Sequence, residues 1–204
     1  PRGIDIPRDY PVEEEITNAI KIESFDKNIQ IPAYLLGYRT PGHNEREAYV
    51  MEMISIYLSG GQSSKLYKRI VDEEKLALQI SSQNLSLEDY GVYFIFSLPM
   101  GETTMGTIVS EIDEEIELMQ TDLISDKDFQ KIQNIIENRF VSSNSTVAGI
   151  GNSLAHNYFF HDSTNHINTE LDIYKSISKE EIREVAKRLL GKNQRLELKY
   201  LPEN

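Results

Sequence analysis

The chain contains no cysteine, which excludes disulfides, thiolate metal sites and cysteine catalysis in one step and leaves the redox compartment open. It has no apolar run near the roughly 18 residues that cross a bilayer, so no transmembrane helix is expected. It does not open on a basic segment followed by an apolar one, so no signal peptide is visible. Positive charge is scarce: 21 Lys and Arg stand against 33 Asp and Glu, for a net charge of -12. Phosphate binding needs the opposite balance, which argues against a nucleic-acid partner. Histidine is scarce as well. The 4 residues, His43, His156, His161 and His166, include no pair four apart, the spacing by which one helix face offers two imidazoles to a metal. No serine sits in a nucleophile-elbow pattern. Gly60-Gly61 before Ser63-Ser64-Lys65 lacks the spacing of a phosphate loop and reads as a helix C-cap followed by a capping serine.

What is present describes an ordinary globular domain of 204 residues, 39% apolar and 26% charged. Residues 1–16, with Pro1, Pro7, Pro11 and Glu13-Glu14-Glu15, read as a linker entering a domain over residues 17–204. An opening Pro1-Arg2-Gly3 without Met suggests a piece of a longer polypeptide. Alternation predicts strands over 17–24, 79–85, 90–98 and from Leu196 to Tyr200, with the middle two joined as a hairpin through Ser86–Asp89. A further strand over 29–38 is apolar on both faces and so belongs at the centre of a sheet. Helices are predicted over 44–58, apolar nearly all round, and over a short segment from Ser63 to Glu73. Others follow from Met105 to Met119, after the Ser125 cap, over 146–160 and after the capping box Ser178-Lys179-Glu180-Glu181. The stripes Phe129, Ile132, Ile136, Phe140 and Val147, Ile150, Leu154, Tyr158 are expected to face the core. The sum is α+β: about five mostly antiparallel strands with helices packed on one face.

Few residues suggest chemistry. His43 reads as loop polar surface, with Glu45 and Glu47 as first-turn acids favoured by the helix dipole. His156, His161 and His166 lie five apart, about 140° per step on a helix, and converge only if Ser163-Thr164-Asn165 makes a turn. Ordinary surface or half-buried histidines are the expectation, with an incidental metal site the alternative. The acidic run Glu111, Asp113, Glu114, Glu115, Glu117 reads as a solvated helix face, and the tyrosines as packing residues.

The run Gly60-Gly61-Gln62-Ser63-Ser64-Lys65-Leu66-Tyr67, continued by Lys68 to Leu78, resembles the second-domain signature of the insulysin/pitrilysin zinc peptidases. The resemblance extends from about Ile16 to Pro202 through Tyr38-Arg39-Thr40-Pro41, Asp89-Tyr90-Gly91, the acidic helix, the late capping box and the closing Leu196–Pro202 strand. It implies the LuxS/MPP-like metalloenzyme fold and a clamshell parent built from paired homologous domains. In that family the first domain carries H-x-x-E-H and zinc, while a domain of the facing half donates an Arg and a Tyr to the substrate carbonyl. The matching positions here are Val71 and Leu78, which can donate no hydrogen bond, and the usual Gly before them is Lys75.

The resemblance therefore implies a non-catalytic domain with no catalytic residue and no metal ligand of its own, walling the substrate chamber and supporting a zinc domain. Lys65, Tyr67, Val71 and Leu78 are the chamber-facing candidates, with Lys65 expected to pair with Asp72, Glu73 or the partner half. No cofactor is expected in this chain, and zinc is expected in the partner domain. The implied partners are a zinc-bearing domain of the same polypeptide or a homologous subunit, and a peptide substrate, which an exposed sheet edge could extend. A bacterial cell envelope remains open as the parent's location. The alternatives are a domain of a degenerate, non-proteolytic homologue with an assembly role, and a stand-alone module for a small ligand.

Overall fold

A computed structural model describes residues 12–203, so most of the expected linker lies outside the described residues. The elements in order are β1 (Ile20–Asp26), β2 (Ala33–Pro41), α1 (Arg46–Ser59), a π-helical segment (Tyr67–Glu73), β3 (Ala77–Ser86) and β4 (Tyr90–Pro99). There follow α2 (Met105–Thr121), α3 (Asp126–Ser143), α4 (Val147–His161), α5 (His166–Ser176), α6 (Lys179–Leu189) and β5 (Arg195–Pro202). The strands form one sheet in the order β1-β5-β2-β4-β3, with β2 at its centre. The β1–β5 pairing is parallel and the β5–β2, β2–β4 and β4–β3 pairings are antiparallel. This is the α+β layer expected from the sequence.

Alternation sets the two faces of the sheet. Leu36, Tyr38 and Thr40 on β2 and Tyr93, Ile95 and Ser97 on β4 point inward and are buried. Against them lies α1, whose Val50, Met51, Met53, Ile54 and Leu58 have no exposed surface. A serine contact fixes α1 on β3: the Ser82 amide donates to Ser59 Oγ at 2.6 Å, and Ser55 and Ser82 hydroxyls lie 3.2 Å apart. The core continues through Ile108, Ile112 and Ile116 of α2, Ile132 and Ile136 of α3, and Ile182, Val185 and Ala186 of α6. The outer face carries no helix among the described residues. There Ile20, Ile22 and Leu85 are exposed, beside half-buried Leu35, Val92, Phe94, Phe96, Leu196 and Leu198.

The caps read from sequence hold: Ser125 accepts from the Asp128 amide at 3.1 Å and Ser178 from the Glu181 amide at 3.1 Å. The reciprocal half of the second box is absent, because Glu181 pairs instead with Arg46 at 2.6 Å. Two expectations fail. The chain over 166–176 is helical, with Leu171 and Tyr174 packed on the core, where no helix was predicted. The stripe on α4 does not face the core: Val147 is 90% exposed and Tyr158 64%, and Asn157 is the buried residue of that helix.

Candidate functional site: the signature segment and a histidine cavity

The signature begins where α1 stops. The Gly60 amide caps Ile56 O at 2.9 Å, and Gly61 follows at φ +134°, a conformation that favours glycine. The Ser64 hydroxyl, in a buried side chain, donates to Gly61 O at 2.5 Å and closes the turn. Leu66 and Ile70 then anchor the helical run in the core with no exposed surface. The run is wound as a π-helix, with the Glu74 amide reaching Arg69 O at 2.9 Å. Lys75, at the position where the resembled signature has Gly, adopts φ +52°. That left-handed turn is a physical reason for glycine there.

The expected pairing of Lys65 with Asp72 or Glu73 is not formed. The Lys65 amine reaches Asp128 at the start of α3 at 3.0 Å and lies 5.4 Å above the Tyr57 ring. Tyr67 and Val71 are half-buried and packed against the core. Leu78 stands 51% exposed at the β-bulge that opens β3. Val71 thus sits on the helical run and Leu78 at the start of the following strand.

The acidic run of α2 is not simply solvated. Arg69 spans Glu111 at 2.5 Å, Glu115 at 3.1 Å and Glu114, tying the signature segment to α2. Asp113 pairs with Arg195, which is 4% exposed, donates to Glu197 at 2.9 Å and reaches Tyr38 Oη at 3.3 Å. Burial pushes the Tyr38 phenol up to about 12, with Arg195 acting against it. Sequence reasoning missed both clusters because their cations lie far along the chain from α2.

The histidines do converge. The turn at Ser163-Thr164-Asn165 forms, and His161 and His166 stack with ring centroids 3.9 Å apart and planes at 23°. His43 closes on them from the start of α1, 5.4 Å from His161, and its ring nitrogens meet Leu87 O at 2.9 Å and Phe160 O at 3.3 Å. It is a clasp between three segments rather than free loop surface. His156 packs on Phe160 at 4.6 Å, so all 4 histidines of the chain line one cavity of about 440 Å³ with Glu52, Arg139 and Asn157. Burial, then the charge of His166, His43 and His156, pushes His161 down to about 4. Burial raises Glu52 against the opposing pull of Arg139, 2.7 Å away. Zinc does not fit this set: His43 spends both nitrogens on carbonyls, and the parallel stack of His161 and His166 does not direct two lone pairs at one point. Among the described residues no group of three or more His, Asp or Glu is arranged to hold a metal ion.

Comparison with known proteins places this geometry. The sequence pattern of the "Peptidase M16 inactive domain" matches residues 4–136. A zinc protease, PqqE, of Helicobacter pylori is 25% identical over 148 residues, covering 71% of this chain and 33% of that protein. An uncharacterised zinc protease of Rickettsia felis is 23% identical over 134 residues, covering 65% of this chain and 32% of its own. The chain thus spans about a third of the length of the curated relatives it matches. The crystal structure of a protease from Helicobacter pylori superposes with a TM-score of 0.88 at 19% identity, over 96% of this chain and 47% of that one. An inactive peptidase domain from Bordetella parapertussis superposes at 0.75 with 14% identity, over 85% of this chain and 92% of its own. At these identities the superpositions speak for the fold alone. No helix among the described residues is long and apolar enough to cross a membrane. The matched pattern covers well over half of the chain, which belongs to the family of M16 peptidase inactive domains.

Proposed function

We propose that the chain is the non-catalytic domain of a zinc-dependent endopeptidase, forming a wall of the substrate chamber and supporting a separate zinc-bearing domain that performs peptide hydrolysis. The observation that carries the reading is the uncovered outer sheet face. Exposed Ile20, Ile22 and Leu85 continue into Val92, Phe94, Phe96, Leu196 and Leu198, an apolar surface suited to another domain rather than to water. Relatives about three times as long as the matched segment supply room for that domain. Lys65, Tyr67, Val71 and Leu78 belong in this reading to the chamber side. Val71 and Leu78 fill the wall with aliphatic contact and leave carbonyl polarisation to other groups.

The test uses the parent protein and this chain side by side. The parent cleaves an unstructured peptide and loses activity to a chelator, whereas the isolated chain does neither. Ile22→Glu on the outer face is expected to weaken association with the zinc-bearing domain at least ten-fold while leaving the melting temperature of the isolated chain nearly unchanged. Val71→Arg with Leu78→Tyr creates no cleavage in the isolated chain, since such donors assist a metal-activated water that this domain lacks. Chelator-sensitive cleavage by the isolated chain, or association indifferent to Ile22→Glu, overturns the reading.

A further inference from the structure

Helix α4 is attached to the domain in an unusual way. Its apolar stripe faces outward and its buried side chain is the amide of Asn157. What holds its C-terminal end is imidazole chemistry. His161 stacks on His166 of α5, and His43 Nε2 lies 3.3 Å from Phe160 O while its ring packs edge-on against the Phe160 ring at 4.5 Å. His166 is itself fixed to α1 through the Tyr49 hydroxyl at 2.9 Å.

Neutral imidazoles stack favourably, and two imidazolium rings at that separation repel. The other titratable and charged groups that face the cluster are Tyr49 and Glu52 on α1, Arg139 on α3, His156 on α4, and Glu170 and Tyr174 on α5. Glu52 is taken by Arg139. Glu170 lies one turn beyond His166 and can offset a single cation there, but not a second one on His161. Asp162, Glu88 and Asp89, on the adjoining turns, are exposed. His43 adds a geometric tie, its two ring nitrogens facing the Leu87 and Phe160 carbonyls.

We propose that α4 is a pH-released element: the stacked rings of His161 and His166 hold its C-terminal turns against α5 and the start of α1, and mild acid, by protonating His161, detaches them and opens the histidine cavity. The sign follows from the lowered His161 value. The docked state refuses a proton that the released helix accepts near 6.5, so docking is complete above about 6.5 and weakens as the pH falls from there toward 4.

Hydrogen exchange of α4 amides in the 204-residue chain, referenced to α1 and corrected for the intrinsic rate at each pH, tests the idea. Between pH 7.5 and 5.0 the opening equilibrium of α4 is expected to rise roughly ten-fold, below the ceiling of about 30-fold for one imidazole displaced from 6.5 to about 4. α1 stays protected throughout. In His161→Gln with His166→Gln the α4 response to pH is expected to disappear, with folding at pH 7.5 checked by a thermal melt. Equal α4 protection of the wild-type chain at the two pH values overturns the proposal, as does an undiminished response in the folded double variant. Should the double variant fail to fold, the wild-type comparison alone decides.

Discussion

Helices α1 and α4 are nearly the same length, 14 and 15 residues, and both are dominated by apolar side chains, yet the molecule uses them in opposite ways. The first lies across the inner face of the sheet, flanked by α3, α5 and α6, and buries Val50, Met51, Met53, Ile54 and Leu58 completely. The second packs against α3, α5 and, at its C-terminal end, His43 before α1, and leaves Val147, Ile150, Tyr158 and Phe159 in solvent. The side that α4 turns toward the domain is polar: Asn152, Ser153, His156 and Asn157 line the histidine cavity. Apolar periodicity therefore identifies a helix and its stripe, but the surface that covers the stripe is decided elsewhere. For α1 the cover is this domain's own sheet. For α4, as for the outer sheet face, none lies among the described residues.

The sharpest way to break this comparison is to make the same deletion in both helices. Ile54→Ala removes fully buried methylenes between sheet and helix layer and is expected to cost about 2–5 kcal/mol. Ile150→Ala, at a site 42% exposed, is expected to fall within about 0.5 kcal/mol. Urea unfolding of the two variants measures the difference. Similar losses would mean that α4 is packed far more tightly than its exposure indicates.

A second prediction concerns how α4 begins. A methyl group added at Gly149 would overlap the Ser143 carbonyl oxygen at the end of α3. The Thr146 cap, which accepts from the Gly149 amide at 3.0 Å, forces this close approach. Gly149→Ala is therefore expected to cost about 1–3 kcal/mol in spite of the helix propensity it adds. The loss should appear first as faster hydrogen exchange in α4, with α1 and the sheet unaffected. A stabilised variant would show that the start of α4 shifts freely.

How much of this was legible in the sequence varies with the range of the deciding contact. Caps were legible: Ser125 and Ser178 satisfy amides three residues on, so the signal and its partner sit together. The hairpin and the central position of β2 followed from alternation and from apolar residues on both strand faces. Helix α5 was missed although Ile167, Leu171 and Tyr174 carry helical spacing, because the intervening Asn168, Thr169, Glu170 and Asp172 resemble a loop. The π-helical winding was not legible at all. It shifts the hydrogen-bond register by one residue, as in the Glu74 amide bonding Arg69 O, and leaves no local mark in the sequence. The partner of Lys65, the Arg69 clamp on α2 and the meeting of His43 with His161 are likewise set by pairs of residues 42 or more positions apart.

Between the π-helical segment and β3, Lys75 provides a smaller effect with the opposite sign. Its φ of +52° strains an ordinary side chain, and its position follows a helix end where glycine is favoured. Lys75→Gly is expected to stabilise the chain by about 0.5–1 kcal/mol, the relief of strain being partly cancelled by the extra freedom of the unfolded chain. A rise of a few degrees in melting temperature is the readout. A fall would mean that the Lys75 side chain makes a contact that outweighs the strain.

The smallest effect is expected at Lys65, the signature cation. It is 37% exposed at the side chain, pairs with Asp128 at 3.0 Å and covers the Tyr57 ring. Solvent screens a pair of this kind, so Lys65→Ala is expected to cost less than about 1 kcal/mol, and less still in high salt. The pH dependence has a definite sign on each side. Burial acts to raise the Asp128 carboxyl, but its bonds to Lys65 and Ser125 prevail and hold it below its usual 3.8, so that its share of stability is lost as acid titrates it below that value. Burial acts to lower the Lys65 amine, but Asp128 and Tyr57 prevail and hold it above its usual 10.5, so that its share is present below that value and is lost as alkali titrates it above. Between those limits the pair contributes a flat increment, and the wild-type and Lys65→Ala stability curves should run parallel from pH 5 to 9. A gap that changes with pH inside that window would show that the Lys65 amine answers to a different partner. Because Asp128 already holds the amine, peptide affinity of the parent protein is expected to be the same with Lys65→Ala. A marked loss of affinity would place Lys65 in contact with substrate and detach it from α3.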